Sequence, residues 1–427
     1  MQDLTLGYAR QQLKFSQIMS PCKSGWNGAF VGRLTRLGRI AKLSVMKRWK
    51  SRLPALIDHV DKLSDSVRLR LWKITGFNNP LMIVPYLGYG TADKLLFAGR
   101  VLEDEGFTPA SSADRTWRNL VNMYKRFESD EVPGARIRAS FQGIEHEVTT
   151  DEEGYFGFKI QAVRSMDAKQ WQEVELELLD PPSRKEAPVR ATARVLVPSA
   201  NVRFGIISDI DDTVISSNVT NKLKMILTVV LSNEHTRKPF EGVAGFYRAL
   251  HRGASGGEEN PIFYVSNSAW NLYTVLLEFL NLQKIPLGPL LLRDFGDHLF
   301  FSKEPESHKK SNIKMILDSF AHLPFVLIGD SGERDPEIYR DVVKEYPDRI
   351  RAIYIRSINK HPSRIAAIDK LIDEVRQTDS QLVLTPDSEF AAVHAAGEGL
   401  ISVDGLAAVR SEKRKDRTAP TQQALTR

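Results

Sequence analysis

Phe204-Gly205-Ile206-Ile207-Ser208-Asp209-Ile210-Asp211-Asp212-Thr213-Val214 decides how this chain is read. It opens as an apolar run of strand type and closes on carboxylates at Asp209 and Asp211, with Asp212 and Thr213 behind them. Open α/β sheets hold their ligands at the carboxyl ends of their strands. Two carboxylates two residues apart on such a turn can share a divalent metal and still differ in task. One can attack a phosphorus atom while the other moves a proton. The same residues also suit a solvated turn or a helix N-cap, since Asp and Thr are favoured at both, so this stretch alone leaves the two readings level.

Downstream the pattern alternates strand and helix. Strands are expected at Phe204–Ser208, Ile262–Val265, Leu287–Leu292, Phe325–Ile328 and Ile350–Ile355, with helices between most of them. That order predicts an α/β fold, a Rossmann-like doubly wound parallel sheet covered on both faces. Pro362 to Arg376 predicts a further helix, with Ile365, Ile368, Leu371, Ile372 and Val375 on one face. From about Ser411 the chain is rich in Lys, Arg, Thr and Gln and poor in apolar residues, which predicts a disordered tail.

Upstream the period changes to two. Ile137, Ala139 and Phe141 alternate with polar neighbours, as do Val174, Leu176 and Leu178, and the series from Val189 to Val197. Half-buried strands of this kind predict a small antiparallel β-sandwich, interrupted by a helix from about Thr116 to Glu128. Asp151-Glu152-Glu153-Gly154 reads as a turn. Its titratable residues form no catalytic cluster, so it reads as an accessory or substrate-presenting domain. The expected division is a basic helical arm at 1–74, the sandwich at 75–198, the α/β domain at 199–405 and the tail at 406–427.

The chain has 427 residues and a net charge of +6, and the charge is unevenly placed. Residues 33–52 hold eight of the 59 basic residues and no acid, which leaves 51 basic against 53 acidic elsewhere. Leu34, Leu37, Ile40 and Leu43 recur there at helical spacing, with Trp49 beyond. Such a stretch can lie on an anionic membrane or pack on its own protein with solvated charges. Nothing resembles a base-reading module, so no nucleic acid is expected. Cys22 is the only cysteine, which excludes an intramolecular disulfide and suits a reducing compartment. Met1 to Ser20 carries Asp3, Arg10 and Lys14 and does not read as a secretory signal. No apolar run approaches a membrane span. The expected location is cytoplasmic, with peripheral contact at the inner membrane face.

The strand ends supply further chemistry. The second closes on Ser266-Asn267-Ser268, the fourth on Gly329-Asp330-Ser331-Gly332-Glu333-Arg334-Asp335, and His308-Lys309-Lys310 opens a helix between them. Each is ordinary alone: Ser266 as an N-cap, Lys309 as a surface lysine, Gly329-Asp330 as a turn, Asp335 as a helix-opening acid. In this order they meet the needs of phosphoryl transfer through an aspartate, which are a carboxylate nucleophile, cationic charge and a hydroxyl to position the phosphate.

This constellation resembles the haloacid dehalogenase superfamily of phosphatases, with Asp209-x-Asp211-x-Thr213, Ser266, Lys309, and Gly329-Asp330 with Asp335 matching its four motifs in turn. Further blocks look like the catalytic domain of the actin-patch-protein type of phosphatidate phosphatase. These include Val219 to Lys224, Thr236 to Phe240, Trp270-Asn271-Leu272-Tyr273, Gly288 to Asp294, and Asp335-Pro336-Glu337-Ile338-Tyr339. The likeness covers about residues 200–360.

The resemblance implies Asp209 as nucleophile and metal ligand, and Asp211 as general acid/base with its carbonyl on the metal. It implies Ser266 and Lys309 on the phosphoryl group, Asp330 on Mg²⁺ and Asp335 supporting it. Lys309 is preferred to Lys310 because it follows His308. Asn267, Trp270 and Arg293 are expected to touch substrate. Asn267-Ser268-Ala269-Trp270 departs from relatives, which more often carry Ser and Pro around the same Trp, and this puts substrate preference in question more than reaction class. Val214 to Asn260 would form a small helical cap, whose apolar Met225 to Leu231 suits either packing or an entrance for an acyl chain.

The expected function is Mg²⁺-dependent hydrolysis of phosphatidate or another lipid phosphate. A soluble phosphomonoester or phosphoprotein substrate is one alternative. An adaptor with a vestigial phosphatase fold is another.

Overall fold

The computed structural model describes residues 80–103, 131–163, 170–182, 187–210, 241–293, 308–358 and 361–418, all within one compact unit, Phe77–Arg427. The basic arm, the helix expected near 116–128, most of the expected cap, and Asp211 and Thr213 lie outside these residues.

Eight strands come first: β1 (Leu81–Pro85), β2 (Gly88–Thr91), β3 (Lys94–Glu103), β4 (Arg136–Phe141), β5 (Ile144–Thr149), β6 (Tyr155–Gln161), β7 (Trp171–Asp180) and β8 (Arg190–Leu196). They form one sheet in the order β1-β3-β2-β8-β7-β4-β5, with β6 also on β3. The expected all-antiparallel arrangement is corrected. β2 and β8 run parallel, pairing Gly88 with Val195 and Tyr89 with Leu196, so the sheet is mixed. Each takes its direction from an antiparallel neighbour, β3 and β7 respectively, and those directions agree where the two meet. Period-two burial sets the core: Leu95, Phe97 and Val101 of β3 meet Phe156, Phe158 and Ile160 of β6 and Val174, Leu176 and Leu178 of β7.

The second sheet has six parallel strands, β9 (Gly205–Ser208), β10 (Ile262–Ala269), β11 (Leu290–Arg293), β12 (Phe325–Asp330), β13 (Ile350–Arg356) and β14 (Gln381–Thr385), in the order β11-β10-β9-β12-β13-β14. Every residue of β9 and β12 is buried, as expected for parallel strands covered on both faces. Ile206, Val326 and Tyr354 point into one apolar layer, and Ile207, Leu327 and Ile353 into the other. The first layer is completed by α1 (Val243–Arg252), α2 (Tyr273–Leu282), α6 (Ser388–Gly397) and α7 (Val403–Thr418). The second is completed by α3 (His308–Ser319), α4 (Asp335–Glu345) and α5 (Pro362–Val375). β14 was not among the expected strands.

The expected tail is corrected as far as Thr418, because α7 is helical. Val409 is buried against α1, and the Lys413 ammonium pairs with Asp387 at 2.7 Å and Glu389 at 3.0 Å. Asp416 accepts a hydrogen bond from the Gly242 N–H at the start of α1. A polar composition hides this helix from a reading that looks only for an apolar stripe.

The mixed sheet meets the parallel one through aromatic rings. Tyr86 packs on Trp270 and Tyr273, with centroids 4.9 and 4.2 Å away, and the Leu87 N–H donates to the Tyr273 hydroxyl. Tyr89 stands edge-on to Phe263. No helix among the described residues is long and apolar enough to cross a membrane.

Candidate active site

β9 ends on Ser208, and the next residue, Asp209, is fully buried. Its backbone is fixed before its side chain is considered. The Asp209 N–H donates to the Ile328 carbonyl on β12 at 2.9 Å, and the Ser208 hydroxyl donates to the Asp209 carbonyl at 2.6 Å. The Ser208 hydroxyl also lies 2.6 Å from the hydroxyl of Tyr247, which comes from α1. The Tyr339 hydroxyl donates to the same Ile328 carbonyl at 2.9 Å.

Lys309 enters from the first turn of α3 and is the hub of the site. Its ammonium lies 2.9 Å from Asp209 Oδ1, 2.5 Å from Asp335 Oδ1 and 3.3 Å from Glu333 Oε2. Its side chain is only 3% exposed. Burial by itself depresses an ammonium, but the carboxylates of Asp209, Asp335 and Glu333 outweigh it and hold Lys309 well above the usual lysine range. The site therefore keeps a fixed positive charge. Lys310 points elsewhere, to Glu345 at 2.5 Å on the protein surface.

Asp330 ends β12, one strand over from Asp209. Its Oδ1 accepts from the Gly332 N–H at 2.6 Å and the Glu333 N–H at 3.1 Å. Its own N–H donates to Asp335 Oδ2 at 3.1 Å. Burial, reinforced by the charge of Asp335, pushes the Asp330 carboxyl up to about 7. Burial also raises Asp335, against the pull of the Lys309 ammonium. Gly329 is required by this geometry, because a Cβ there would lie 2.5 Å from Asp335 Oδ2 and 2.8 Å from the Tyr339 ring.

Asp209, Asp330 and Asp335 present carboxylate oxygens that all lie within 4.8 Å of one another, and all three residues are buried. A buried, all-oxygen donor set fits a hard divalent cation such as Mg²⁺. Both Asp335 oxygens already accept hydrogen bonds, one from Lys309 and one from the Asp330 N–H. That leaves Asp209 and Asp330 better placed as direct ligands and Asp335 as their support.

Ser266 is buried on β10, where its hydroxyl accepts from the Ser268 N–H at 2.9 Å. Asn267 donates to Glu333 Oε2 at 3.2 Å, which links the second motif to the fourth. Trp270 is buried against Tyr86 and Tyr273, where it joins the two sheets. Arg293 is exposed at the end of β11. Asp211, expected as the acid/base, lies outside the described residues. Sequence reasoning missed Glu333, Tyr247 and the Ser208 hydroxyl. Glu333 lies inside the Gly-Asp-Ser-Gly-Glu loop, but its contact with Lys309 needs two distant segments to meet.

The segment that carries this site is similar to a family of phosphatase catalytic domains. Residues 204–357 match the family described as phosphatidate phosphatase APP1, catalytic domain. Among individual proteins, the chain is 33% identical over 169 residues to phosphatidate phosphatase APP1 of Saccharomyces cerevisiae, covering 39% of this chain and 28% of that protein. It is 28% identical over 283 residues to an uncharacterised protein of Schizosaccharomyces pombe, covering 64% of this chain and 46% of the relative. The chain thus matches less than half the length of either. Among solved structures, a carbohydrate acetylesterase from Xanthomonas citri is 10% identical over 79% of this chain and 75% of its own, with a TM-score of 0.25, too low to support any argument.

Proposed function

We propose that the chain hydrolyses the phosphomonoester of phosphatidate or a closely related lipid phosphate, in the presence of Mg²⁺ and through an aspartyl-phosphate. The observation that carries this reading is the buried Lys309 ammonium held between Asp209 and Asp335, with Asp330 alongside. It lies in a segment similar to phosphatidate phosphatase catalytic domains. The order of the parallel strands supports reading this sheet as doubly wound. From β9 the chain passes to β10 on one side and later to β12 on the other, so Asp209 and Asp330 lie at the crevice where such sheets bind ligands.

In this reading a carboxylate oxygen of Asp209 attacks the phosphorus, and the bond from phosphorus to the ester oxygen breaks. The departing diacylglycerol oxygen takes a proton, which the family resemblance assigns to Asp211. Water then attacks the phosphorus of the aspartyl-phosphate, giving a proton back to the group the resemblance assigns as Asp211, and the bond from phosphorus to the Asp209 oxygen breaks, releasing inorganic phosphate and restoring the Asp209 carboxylate. Lys309, kept cationic by its acidic neighbours, offsets charge on the phosphoryl oxygens and orients Asp209 throughout. Asp209 and Asp330 would hold Mg²⁺, which when bound neutralises further charge on the phosphoryl group.

The test is phosphate release from a panel of phosphatidate vesicles, soluble phosphomonoesters and phosphopeptides, each with Mg²⁺ and with excess chelator. Release from phosphatidate that vanishes with chelator and returns with Mg²⁺ is the expected result. Preference for a soluble ester would replace the lipid reading, and full activity in chelator would remove the metal. Bilayer access is assigned to the basic stretch at 33–52. Deleting it should lower activity on vesicles while sparing soluble esters, and equal loss on both would retire that role.

A further inference from the structure

We infer that Arg364, which lies beyond the matched segment and touches none of the reacting groups, is the positioning residue for the metal-binding loop. Asp330 can face Asp209 only if the loop Ser331–Arg334 keeps its shape, because Asp330 Oδ1 is aimed by the N–H groups of Gly332 and Glu333. Besides those internal bonds, the loop is braced from outside. Arg364 supplies that brace from the first turn of α5. Its Nε donates to the Ser331 carbonyl at 2.9 Å and its Nη2 to the Glu333 carbonyl at 2.7 Å. One planar group thus pins the carbonyls on both sides of Gly332.

The rest of the guanidinium is committed to the same task. Nη1 and Nη2 donate to the two carboxylate oxygens of Glu337, the second at 3.1 Å. Glu337 sits in the first turn of α4, which opens with Asp335, the partner of Lys309 and of the Asp330 N–H. Burial would raise the Glu337 carboxyl, but the bond from Arg364 dominates with its neighbours and holds it below the usual range, so the pair is ionic. Arg364 therefore ties the loop to the helix that supplies its other wall. The opposite side is tied by β13 and its continuation. The Ser331 N–H donates to the Arg356 carbonyl, the Ile358 N–H donates to the Ser331 hydroxyl, and Ile358 packs where a Cβ on Gly332 would lie.

Only arginine can make this set of contacts. Its five donors lie in a fixed plane and reach two carbonyls and a carboxylate together, whereas a lysine ammonium acts from a single point. Groups that orient metal ligands without touching the metal typically alter affinity 10–100-fold when removed.

The inference rests on the proposed reading of Asp330 as a ligand, and its test separates the two. Mg²⁺ binding to the full chain, without substrate, is measured by titration calorimetry for wild type, Arg364→Met, Arg364→Lys and Glu337→Gln. Melting curves in chelator establish that each is folded. Arg364→Met is expected to weaken Mg²⁺ binding about 10–100-fold, with Arg364→Lys recovering only part of it. The Mg²⁺ concentration giving half-maximal turnover should rise in parallel, while KM for the phosphate ester stays near wild type. A folded Arg364→Met that binds Mg²⁺ as wild type does, with only a lowered melting temperature, would overturn the inference alone. Wild type that binds no Mg²⁺ would overturn the proposed function and this inference with it. If Arg364→Met does not fold, Glu337→Gln decides: weakened binding supports the bracket, and wild-type binding overturns it.

Discussion

Replacing Lys309 with Met should destabilise the folded chain and stop turnover, and the structure sets the size of the effect. Lys309 is 3% exposed and its partners Asp209 and Asp335 are fully buried, so solvent does not screen the interaction. Methionine keeps most of the stem volume, and the change is therefore mainly the loss of one charge. Removing one member of a buried ionic group leaves the others uncompensated, at a cost of about 3–5 kcal/mol. At about 2.1 cal/mol/K of unfolding entropy per residue, a compact unit of about 350 residues shifts by about 1.4 °C per kcal/mol, so the melting temperature should fall by about 4–7 °C.

The sign of the pH dependence follows. Lys309 lowers the Asp335 carboxyl against the rise due to burial, so its loss raises that carboxyl further above the unfolded value. A raised carboxyl binds more protons in the folded state than in the unfolded one. The deficit should therefore be smallest in acid and grow as pH climbs from about 4. Saturating Mg²⁺ at 100 times its Kd should return about 2.7 kcal/mol if the carboxylates still bind it. Urea unfolding at pH 5 and pH 8, in chelator and in Mg²⁺, reads each of these effects. Lys310→Met is the control. Lys310 is 28% exposed and pairs with Glu345 at the surface, so its loss should change stability by less than about 1 kcal/mol and spare turnover. A Lys309→Met protein within about 1 kcal/mol of wild type at pH 8, or a Lys310→Met protein equally impaired, would refute the reasoning.

Three further outcomes follow from the same geometry. Asp209→Asn should abolish phosphate release with the fold retained by circular dichroism, because an amide does not attack phosphorus usefully; wild-type turnover would rule out the aspartyl-phosphate. Gly329→Ala should destabilise by about 1–3 kcal/mol and lower activity, since its Cβ collides with Asp335 and Tyr339; an unchanged melt would contradict the close packing of β12 on α4. Truncation after Ser402 removes α7 and should lower the melting temperature, although the matched family segment ends at residue 357. In the intact chain, burial raises Asp387 but its bond to Lys413 prevails and holds it low, and Glu389 is held low chiefly by Lys413. That contribution is present above the ordinary carboxylate range and is lost as pH falls through the depressed values, so protease access to α7 should rise only in acid.

The parallel sheet was legible in the sequence because fully buried strands are written as near-continuous apolar runs, as in Phe204–Ile207 and Phe325–Ile328. The four motif residues were legible because each stands next to such a run or opens a helix. α7 was not, since its attachment relies on Val409 and on ion pairs with α6 rather than on a long apolar stripe. The parallel pairing of β2 with β8 was not, since alternation shows which face is buried and says nothing of a strand's neighbour.

The sequence by itself determined the chemistry available: an aspartate at the end of a buried strand, a lysine opening a helix, and a second aspartate after a glycine. The kind of side chain and its place at a strand end are local properties, carried by a few adjacent residues. Which of these groups meet was decided only by the tertiary structure. Lys309 rather than Lys310 turns inward, Glu333 joins it, Trp270 is drawn into the joint between the sheets, and Arg364 reaches back to the loop beside Asp330. Those contacts span tens to more than a hundred residues of chain, and their distances depend on how strands β9 and β12 pair and how helices α3, α4 and α5 pack upon them.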